Sequence, residues 1–450
     1  MKIFVSGALE KAQDAVPFGR RPVLTLATFI EFVFRHIRAQ MKFGLVIFIF
    51  SFLAASNCHA QNRDVLCRNG VGDFDAEFLT GVKVHVGAGR NQELAARVCD
   101  ASLSWSDQTL ALTSAVSELD IDALGVDLGL GTPVLALQVK KSKTDCCMAY
   151  EIYSLKQPPV LLRRIAGGEF FSAADTDLDG RVEIWTDDAA VVEGFENIKL
   201  SDLDFAPPIV LRFARGRLLD VSSEFRPYFN QKIAEERAKI VTQDLEDFKN
   251  SDGNLDPASM ISAIKLSRMR SAKIKVLEIV WAYLYSGREQ DAWHSLQEMW
   301  PASDIDRIRN AILAARARGI RSQVDGALTV THPGRLANVK IFDGTVVVSA
   351  TSELMPKGAK VAPPIVPPRA ILMEREPPLT AKEQELARIE STLKLVIDSA
   401  GKVRSAEVVG NVEKIDEQLL RSTTGWKFIP AFNADQPVAS QILLGVSLRR

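Results

Sequence analysis

A run of acidic residues near the middle of the chain has the spacing of a loop that wraps oxygen ligands around a metal ion. Its acidic members are Asp175, Asp177, Asp179 and Glu183, at positions one, three, five and nine of the run. Gly180 stands at position six, where calcium-binding loops turn sharply, and carboxylates are ligands that calcium prefers. We predict a loop that binds Ca²⁺ in a structural role. The alternative is a solvated acidic turn that holds no ion tightly.

No other group of residues in the sequence has the spacing of a catalytic or metal site. Beyond residue 60 the histidines are His85, His294 and His332, and none lies within ligand spacing of another. The sequence contains no G-x-S-x-G elbow, no glycine-rich phosphate loop and no C-x-x-C pair. We therefore predict that the protein is not an enzyme, and we assign no catalytic residues.

Composition and the N-terminal residues predict an exported chain of several domains. The 450 residues carry a formal net charge of −1, which argues against a nucleic-acid partner. Residues 41–60 combine a basic start, a short apolar run and a small final residue, Ala60, which is the layout of a cleaved signal peptide. Residues 1–40 would then be a spurious leader. The alternatives are two membrane-associated helices over 22–55, which leaves membrane association open, and a lipoprotein with its lipid on Cys58.

The cysteines that follow residue 60 are even in number, and this pattern in an exported chain allows disulfide bonds. They are Cys67, Cys99, Cys146 and Cys147. Three pairings of four cysteines are conceivable, and we predict a bond between Cys67 and Cys99. Cys146 and Cys147 would then be free or joined to each other.

Residues 61–222 have the short, period-two apolar pattern of a β-rich domain. Candidate strands lie at 83–86, 96–105, 109–114, 134–140, 148–155 and 160–165. Strands at this density, with no helices between them, favour antiparallel sheets such as a sandwich or part of a propeller.

Helical periodicity replaces this pattern in residues 223–323 and predicts an α-helical bundle. Candidate helices cover 227–250, 272–286, 289–299 and 305–318, and Asp256 before Pro257 is placed to start one more between the first two. Part of the bundle, near Gly287 and Ala292, matches the tetratricopeptide pattern of paired helices. A short β segment follows at 324–355. Residues 356–379 then contain three Pro-Pro pairs, a composition that predicts an extended linker.

The last segment, 380–450, predicts a small α+β domain made of an antiparallel sheet and a helix. Residues 392–397 and 402–409 form a candidate hairpin around the turn 398–401. A helix from about Ile415 would end before Gly425, which is placed for a left-handed cap. A long closing strand has one face composed of Val438, Ser440, Ile442, Leu444, Val446 and Leu448.

This order of motifs resembles the C-terminal domain of the TonB family, the energy transducers of the Gram-negative bacterial envelope. The matching motifs are ID-x-x-GKV at 397–403, WKFIPA at 426–431 and QPVAS at 436–440. The resemblance implies a domain that binds partner proteins by strand addition, with the six residues of the closing strand as the partner-binding edge. It also implies a partner such as the periplasmic segment of an outer-membrane receptor.

The acidic run is similar to the Asp-rich loop of FG-GAP or VCBS propeller repeats. In those repeats an acidic, an apolar and an aromatic residue follow the loop, as Glu183, Ile184 and Trp185 do here. Position twelve is Thr186 rather than glutamate, which distinguishes the run from an EF-hand.

The expected function is therefore partner binding in the periplasm or cell envelope of a Gram-negative bacterium. A TonB-like domain would bind proteins involved in transmembrane transport, as part of an atypical energy transducer or a transport accessory. The alternative is a periplasmic structural or ligand-binding protein built on a calcium-stabilised, propeller-like β-rich domain.

Overall fold

A computed structural model of the chain describes residues 65–78, 80–91, 96–255, 262–327, 369–372, 390–409, 417–433 and 436–447. The predicted leader, the signal peptide and Cys58 lie outside the described residues, as does most of the predicted linker. No helix in the described ranges is long and apolar enough to cross a membrane.

The first half of the described chain is a series of antiparallel sheets. Its strands are β1 (Cys67–Arg68), β2 (Phe74–Glu77), β3 (Lys83–Asn91), β4 (Ala96–Trp105), β5 (Gln108–Val116), β6 (Glu118–Val126), β7 (Val134–Lys140), β8 (Met148–Ser154), β9 (Leu161–Gly168), β10 (Phe171–Ala174), β11 (Glu183–Asp187), β12 (Pro208–Ala214) and β13 (Arg217–Asp220). They form three consecutive four-stranded meanders in these residues, namely β2 to β5, β6 to β9 and β10 to β13. A meander of this kind is the building unit of propellers, which normally use four to eight of them.

The strands β6 to β8 of the second meander are buried on both of their faces. One face packs through Ile121 and Leu137 into a core shared with β2 to β5. The other face packs through Ala136 and Ile152 into a core shared with β10 to β13 and the helices. Two short strands extend the sheets, because β1 pairs with β6 and β14 (Gly326–Ala327) pairs in parallel with β13.

Two disulfide bonds are present among the described residues. The sulfurs of Cys67 on β1 and Cys99 on β4 lie 2.10 Å apart, with a Cα–Cα distance of 5.9 Å. Cys146 and Cys147 are joined to each other rather than free. The first bond links residues 32 apart in sequence, and closing a loop of that length stabilises a folded chain by roughly 3–4 kcal/mol.

The helical region contains α1 (Ala189–Val192), α2 (Arg226–Lys239), α3 (Thr242–Lys249), α4 (Ala263–Tyr285), α5 (Glu289–Met299) and α6 (Ile305–Arg316). The single helix predicted over 227–250 was wrong, because Ile240 and Val241 adopt extended conformations and divide it. Adjacent β-branched residues have a low helix propensity, which is consistent with a break at this place. The long helix α4 begins nine residues before the helix predicted at 272, and the start predicted at Asp256 and Pro257 lies outside the described residues. At the N-terminus of α4 the Ser262 hydroxyl accepts a hydrogen bond from the Lys265 N–H.

The C-terminal part is a small α+β unit. Its elements are β15 (Arg369–Leu372), β16 (Glu390–Ile397), β17 (Val403–Val409), α7 (Glu417–Ser422), β18 (Lys427–Ile429), β19 (Ala431–Asn433), β20 (Gln436–Val438) and β21 (Ser440–Ser447). The order β17-β16-β21 makes a three-stranded antiparallel sheet, and β15, inside the predicted linker, pairs with β18. Gly425 ends a 3₁₀ turn and does not have the predicted left-handed conformation. Gly401, in the hairpin turn between β16 and β17, does have a left-handed conformation. The chain is thus β-rich and multi-domain, with several antiparallel sheets and some helices.

Candidate functional site

The acidic loop connects two neighbouring antiparallel strands, β10 and β11. Leu178 and Gly180 both have left-handed backbone conformations, with φ of 57° and 85°. These two residues curl the chain back on itself within six positions. A Cβ at Gly180 would have no atom within 4 Å, so the backbone angle rather than space accounts for glycine there.

This curl brings three of the four predicted ligands together. Asp175, Asp177 and Asp179 each offer a carboxylate oxygen, and these oxygens lie within 4.8 Å of one another. Glu183 belongs to a different set of contacts. Its carboxylate accepts a hydrogen bond from the Thr176 N–H at 3.1 Å and one from the Arg212 guanidinium at 3.3 Å. Burial raises the pKa of Glu183 to about 7, against the opposing effect of the Thr176 hydrogen bond.

Two of the loop carboxylates have buried oxygens without a hydrogen-bond donor. They are the Oδ1 atoms of Asp175 and Asp177. Burial raises the pKa of both side chains, and the neighbouring carboxylates raise it further. A buried acceptor without a donor is costly, and a cation shared by the two oxygens would remove that cost.

Asp179 differs from the other two because it already has a cationic partner. The Arg181 guanidinium and backbone N–H both donate to its carboxylate. Burial raises the pKa of Asp179, but the hydrogen bonds from Arg181 outweigh that effect and leave the pKa below its usual value. A divalent ion at this loop would therefore compete with Arg181 for Asp179.

The hairpin turn between β16 and β17 lies directly against this loop. The Asp175 N–H donates to Asp398 Oδ2 at 3.1 Å, and the Ser399 hydroxyl donates to Asp175 Oδ2 at 2.9 Å. Nearby, the Arg404 guanidinium donates to the Thr176 carbonyl at 2.9 Å. The acidic loop is thus part of the surface on which the C-terminal domain docks.

Two buried ion pairs extend the same contact to β6. Lys402 Nζ lies 2.6 Å from Asp122 Oδ1, and Lys427 Nζ pairs with Asp120. Asp122 also accepts hydrogen bonds from the Tyr150 hydroxyl at 2.6 Å and from the Ala173 N–H at 2.8 Å. Each aspartate is therefore compensated by a lysine from the C-terminal domain, as buried charges must be.

The register of β6 explains how Asp122 reaches this contact. Ile121 and Ala123 oppose adjacent residues of β7, so Asp122 is the extra residue of a β-bulge. Bulges re-aim side chains at functional and structural contacts. Burial lowers the pKa of Lys402, while Asp122 opposes that shift.

Sequence reasoning did not assign Asp120, Asp122, Lys402 or Lys427 to any site. The available signal was the segment Glu118–Val126, in which two aspartates interrupt an otherwise apolar strand. An acidic residue at alternate positions of a buried strand requires a partner, but the sequence does not say which lysine supplies it.

The proposed partner-binding edge is placed as follows. Ser440, Ile442 and Leu444 lie on β21 and are buried, and the last two pack in the domain core with Trp426 and Phe428. Val438 belongs to the separate short strand β20, and Val446 lies in β21. Leu448 lies outside the described residues.

Two other acidic clusters occur in the described part of the chain. Asp75 on β2, His85 on β3 and Asp73, which directly precedes β2, form an exposed group. Asp204, Glu236 and Glu278 are contacted by Lys239 and Lys275, with N–O distances of 2.5 to 3.0 Å. The lysines already supply the positive charge that a metal ion would supply, so this cluster is an ion-pair network that joins the helices.

Comparison of the chain with protein-family models finds no matching model. Comparisons with curated proteins and with solved structures find no match either. The function must therefore be argued from the contacts described above.

Proposed function

We propose that this protein is an exported envelope protein whose C-terminal domain binds a partner protein by strand addition along β21. The observation that supports the proposal is the place of β21 at the outside of the sheet β17-β16-β21. In the described part of the chain it pairs along eight residues with β16 alone. An outer strand offers unpaired backbone groups to an extended segment of another chain.

The two edges of this sheet differ in chemistry. The strand β17 carries Arg404 and Glu407, whereas β21 contains no charged residue. Charged side chains on an edge discourage pairing with a second chain, so β21 is the more receptive edge. Gln441 and Leu443 are half-buried on the face opposite the domain core, where they would select among partner side chains.

Two further observations support the compartment and the class of partner. Disulfide bonds such as Cys67–Cys99 persist in oxidising compartments, which include the periplasm. The resemblance of residues 380–450 to the TonB C-terminal domain favours the periplasmic segments of outer-membrane receptors as partners. The role would be that of an atypical energy transducer or a transport accessory.

A lysine placed on β21 should weaken partner binding. The substitution Leu443→Lys puts a flexible charge beside the open edge, and we expect at least a tenfold loss of affinity, or about 1.4 kcal/mol. The measurement is fluorescence anisotropy of labelled peptides copied from receptor periplasmic segments, titrated with the exported chain. Ser405→Lys, at an exposed position on β17, is the matched control and should bind as the unaltered protein does. Equal affinity of both variants would contradict the assignment of the edge.

We also propose that the acidic loop binds a divalent cation, calcium being the best fit to three carboxylates. The buried Oδ1 atoms of Asp175 and Asp177 favour this second role, because no donor satisfies them. It is independent of strand addition, and alone it would describe a structural or ligand-binding protein with a cation-stabilised β-rich region.

Removal of one loop carboxylate should weaken calcium binding. For Asp177→Asn we expect a loss of at least tenfold, or about 1.4 kcal/mol, measured by isothermal titration with calcium chloride. Asp107→Asn removes one carboxylate from an exposed turn elsewhere and should leave calcium binding unchanged. A protein that takes up no calcium, or a D177N variant as tight as the unaltered protein, would refute this part of the proposal.

A further inference from the structure

One side chain of the acidic loop, Asp175, also contacts the docked hairpin. We propose that cation binding by the loop and docking of the C-terminal domain on the β-rich region are coupled, so that each strengthens the other. The inference rests on the cation-binding part of the proposed function.

Asp175 is the shared side chain. It is 1% exposed, and its Oδ1 has no hydrogen-bond donor. Its Oδ2 accepts the Ser399 hydroxyl at 2.9 Å and the Gly180 N–H at 3.1 Å. One oxygen is thus held by the C-terminal domain, while the other has no hydrogen-bond donor and is available to a cation. Partners that orient a metal-binding carboxylate in this way raise the affinity of the site.

The direction of the coupling follows from the Ser399 contact. In the docked arrangement the Ser399 hydroxyl holds Asp175 Oδ2 and so orients the carboxylate for an ion at Oδ1. The charges that docking brings to the loop are opposite in sign, because Asp398 accepts from the Asp175 N–H and Arg404 donates to the Thr176 carbonyl. The orientation of the Asp175 carboxylate is therefore the reason that the ion favours the docked arrangement.

Thermodynamic reciprocity then requires the converse effect. If the ion strengthens docking, weaker docking must weaken the binding of the ion by the same factor. The buried pair Lys427–Asp120 makes this testable, because neither residue contacts the acidic loop. Weakening that pair changes the docking without altering any candidate ligand.

The first test is the calcium affinity of four proteins, measured by titration of the exported chain with calcium chloride. Ser399→Ala and the double variant Asp120→Asn/Lys427→Met should each bind calcium at least about fivefold more weakly than the unaltered protein. The double variant removes both charges, which avoids an unpaired buried ion. The matched control is Lys394→Met/Glu407→Gln, which removes an exposed ion pair of the C-terminal domain and should bind calcium normally.

The second test is the reciprocal one and uses hydrogen exchange. Calcium should slow the exchange of backbone amides in 398–404 and 426–429 in the unaltered protein, but not in D177N. Normal calcium affinity in both docking variants, or hairpin exchange that does not respond to calcium, would overturn the coupling and leave the cation site intact. Absence of calcium binding in the unaltered protein would overturn the coupling and the cation site together, while strand addition on β21 would stand.

Discussion

Replacing Gly401 with alanine is expected to destabilise the C-terminal domain by about 3 kcal/mol or more, because two separate penalties combine at this position. Gly401 has a φ of 82°, a backbone angle that residues with a side chain rarely adopt. A Cβ would also lie 1.8 Å from the Phe428 carbonyl oxygen, a distance far shorter than van der Waals contact. The turn must therefore move away from β18.

Such a movement should release the hairpin from the acidic loop. The Gly401 carbonyl accepts the Phe428 N–H at 2.9 Å, and Ser399, two residues earlier, contacts Asp175. We expect the G401A variant to show a lower midpoint of chemical unfolding together with rapid hydrogen exchange over 398–404.

The matched control is Gly216→Ala in the hairpin between β12 and β13. Gly216 has a similar φ of 75°, but its Cβ would meet no atom within 4 Å. Only the backbone penalty of roughly 1–2 kcal/mol applies there. If both alanine variants were destabilised equally, the close approach of Gly401 to Phe428 would not be the cause.

Replacing Asp122 with asparagine should cost about 3–5 kcal/mol of stability, because it leaves the Lys402 ammonium buried without a counter-charge. Lys402 is 13% exposed and Asp122 is 1% exposed in this pair. The asparagine side-chain carbonyl can still accept the hydrogen bonds from the Tyr150 hydroxyl and the Ala173 N–H. The interaction that this substitution removes is therefore the ion pair with Lys402. Equilibrium unfolding in urea measures the effect.

A double variant separates the ion pair from the site around it. Asp122→Asn/Lys402→Met removes both charges and should recover most of the lost stability. The exposed pair Lys394–Glu407 is the comparison, and Glu407→Gln should cost less than about 1 kcal/mol. A double variant no more stable than D122N would show that Lys402 does not compensate Asp122.

The sequence predicted those elements whose pattern is local. The alternation of apolar residues predicted β4 and β7, and the predicted bounds are those observed. Helical spacing of apolar residues likewise predicted the bounds of α5. The strand β6 was missed because it contains Asp120 and Asp122, and aspartate is depleted in strands, although apolar residues alternate with both of them. The helix predicted over 227–250 was wrong because a break at Ile240 and Val241 keeps apolar residues in approximate helical phase on either side.

The candidate site was predictable only in part, for a different reason. The acidic loop is contiguous in sequence, so its spacing was readable. The docking contact joins Asp122 to Lys402 and Asp175 to Ser399 across more than two hundred residues. No periodicity links such residues, and the sequence alone does not distinguish Lys402 or Ser399 from the many other lysines and serines of the chain. Only the packing of the hairpin turn on β6 and the loop selects them.

Hydrogen exchange along β21 shows whether a partner adds a strand to this edge. The protein is measured alone and with a saturating receptor-derived peptide, and exchange is resolved over 440–447 and 403–409. We expect slower exchange in 440–447 on peptide binding, with 403–409 unchanged, because the added strand supplies hydrogen-bond acceptors to β21 alone. Bound peptide with unchanged exchange over 440–447, or with protection over 403–409 instead, would rule out strand addition along β21.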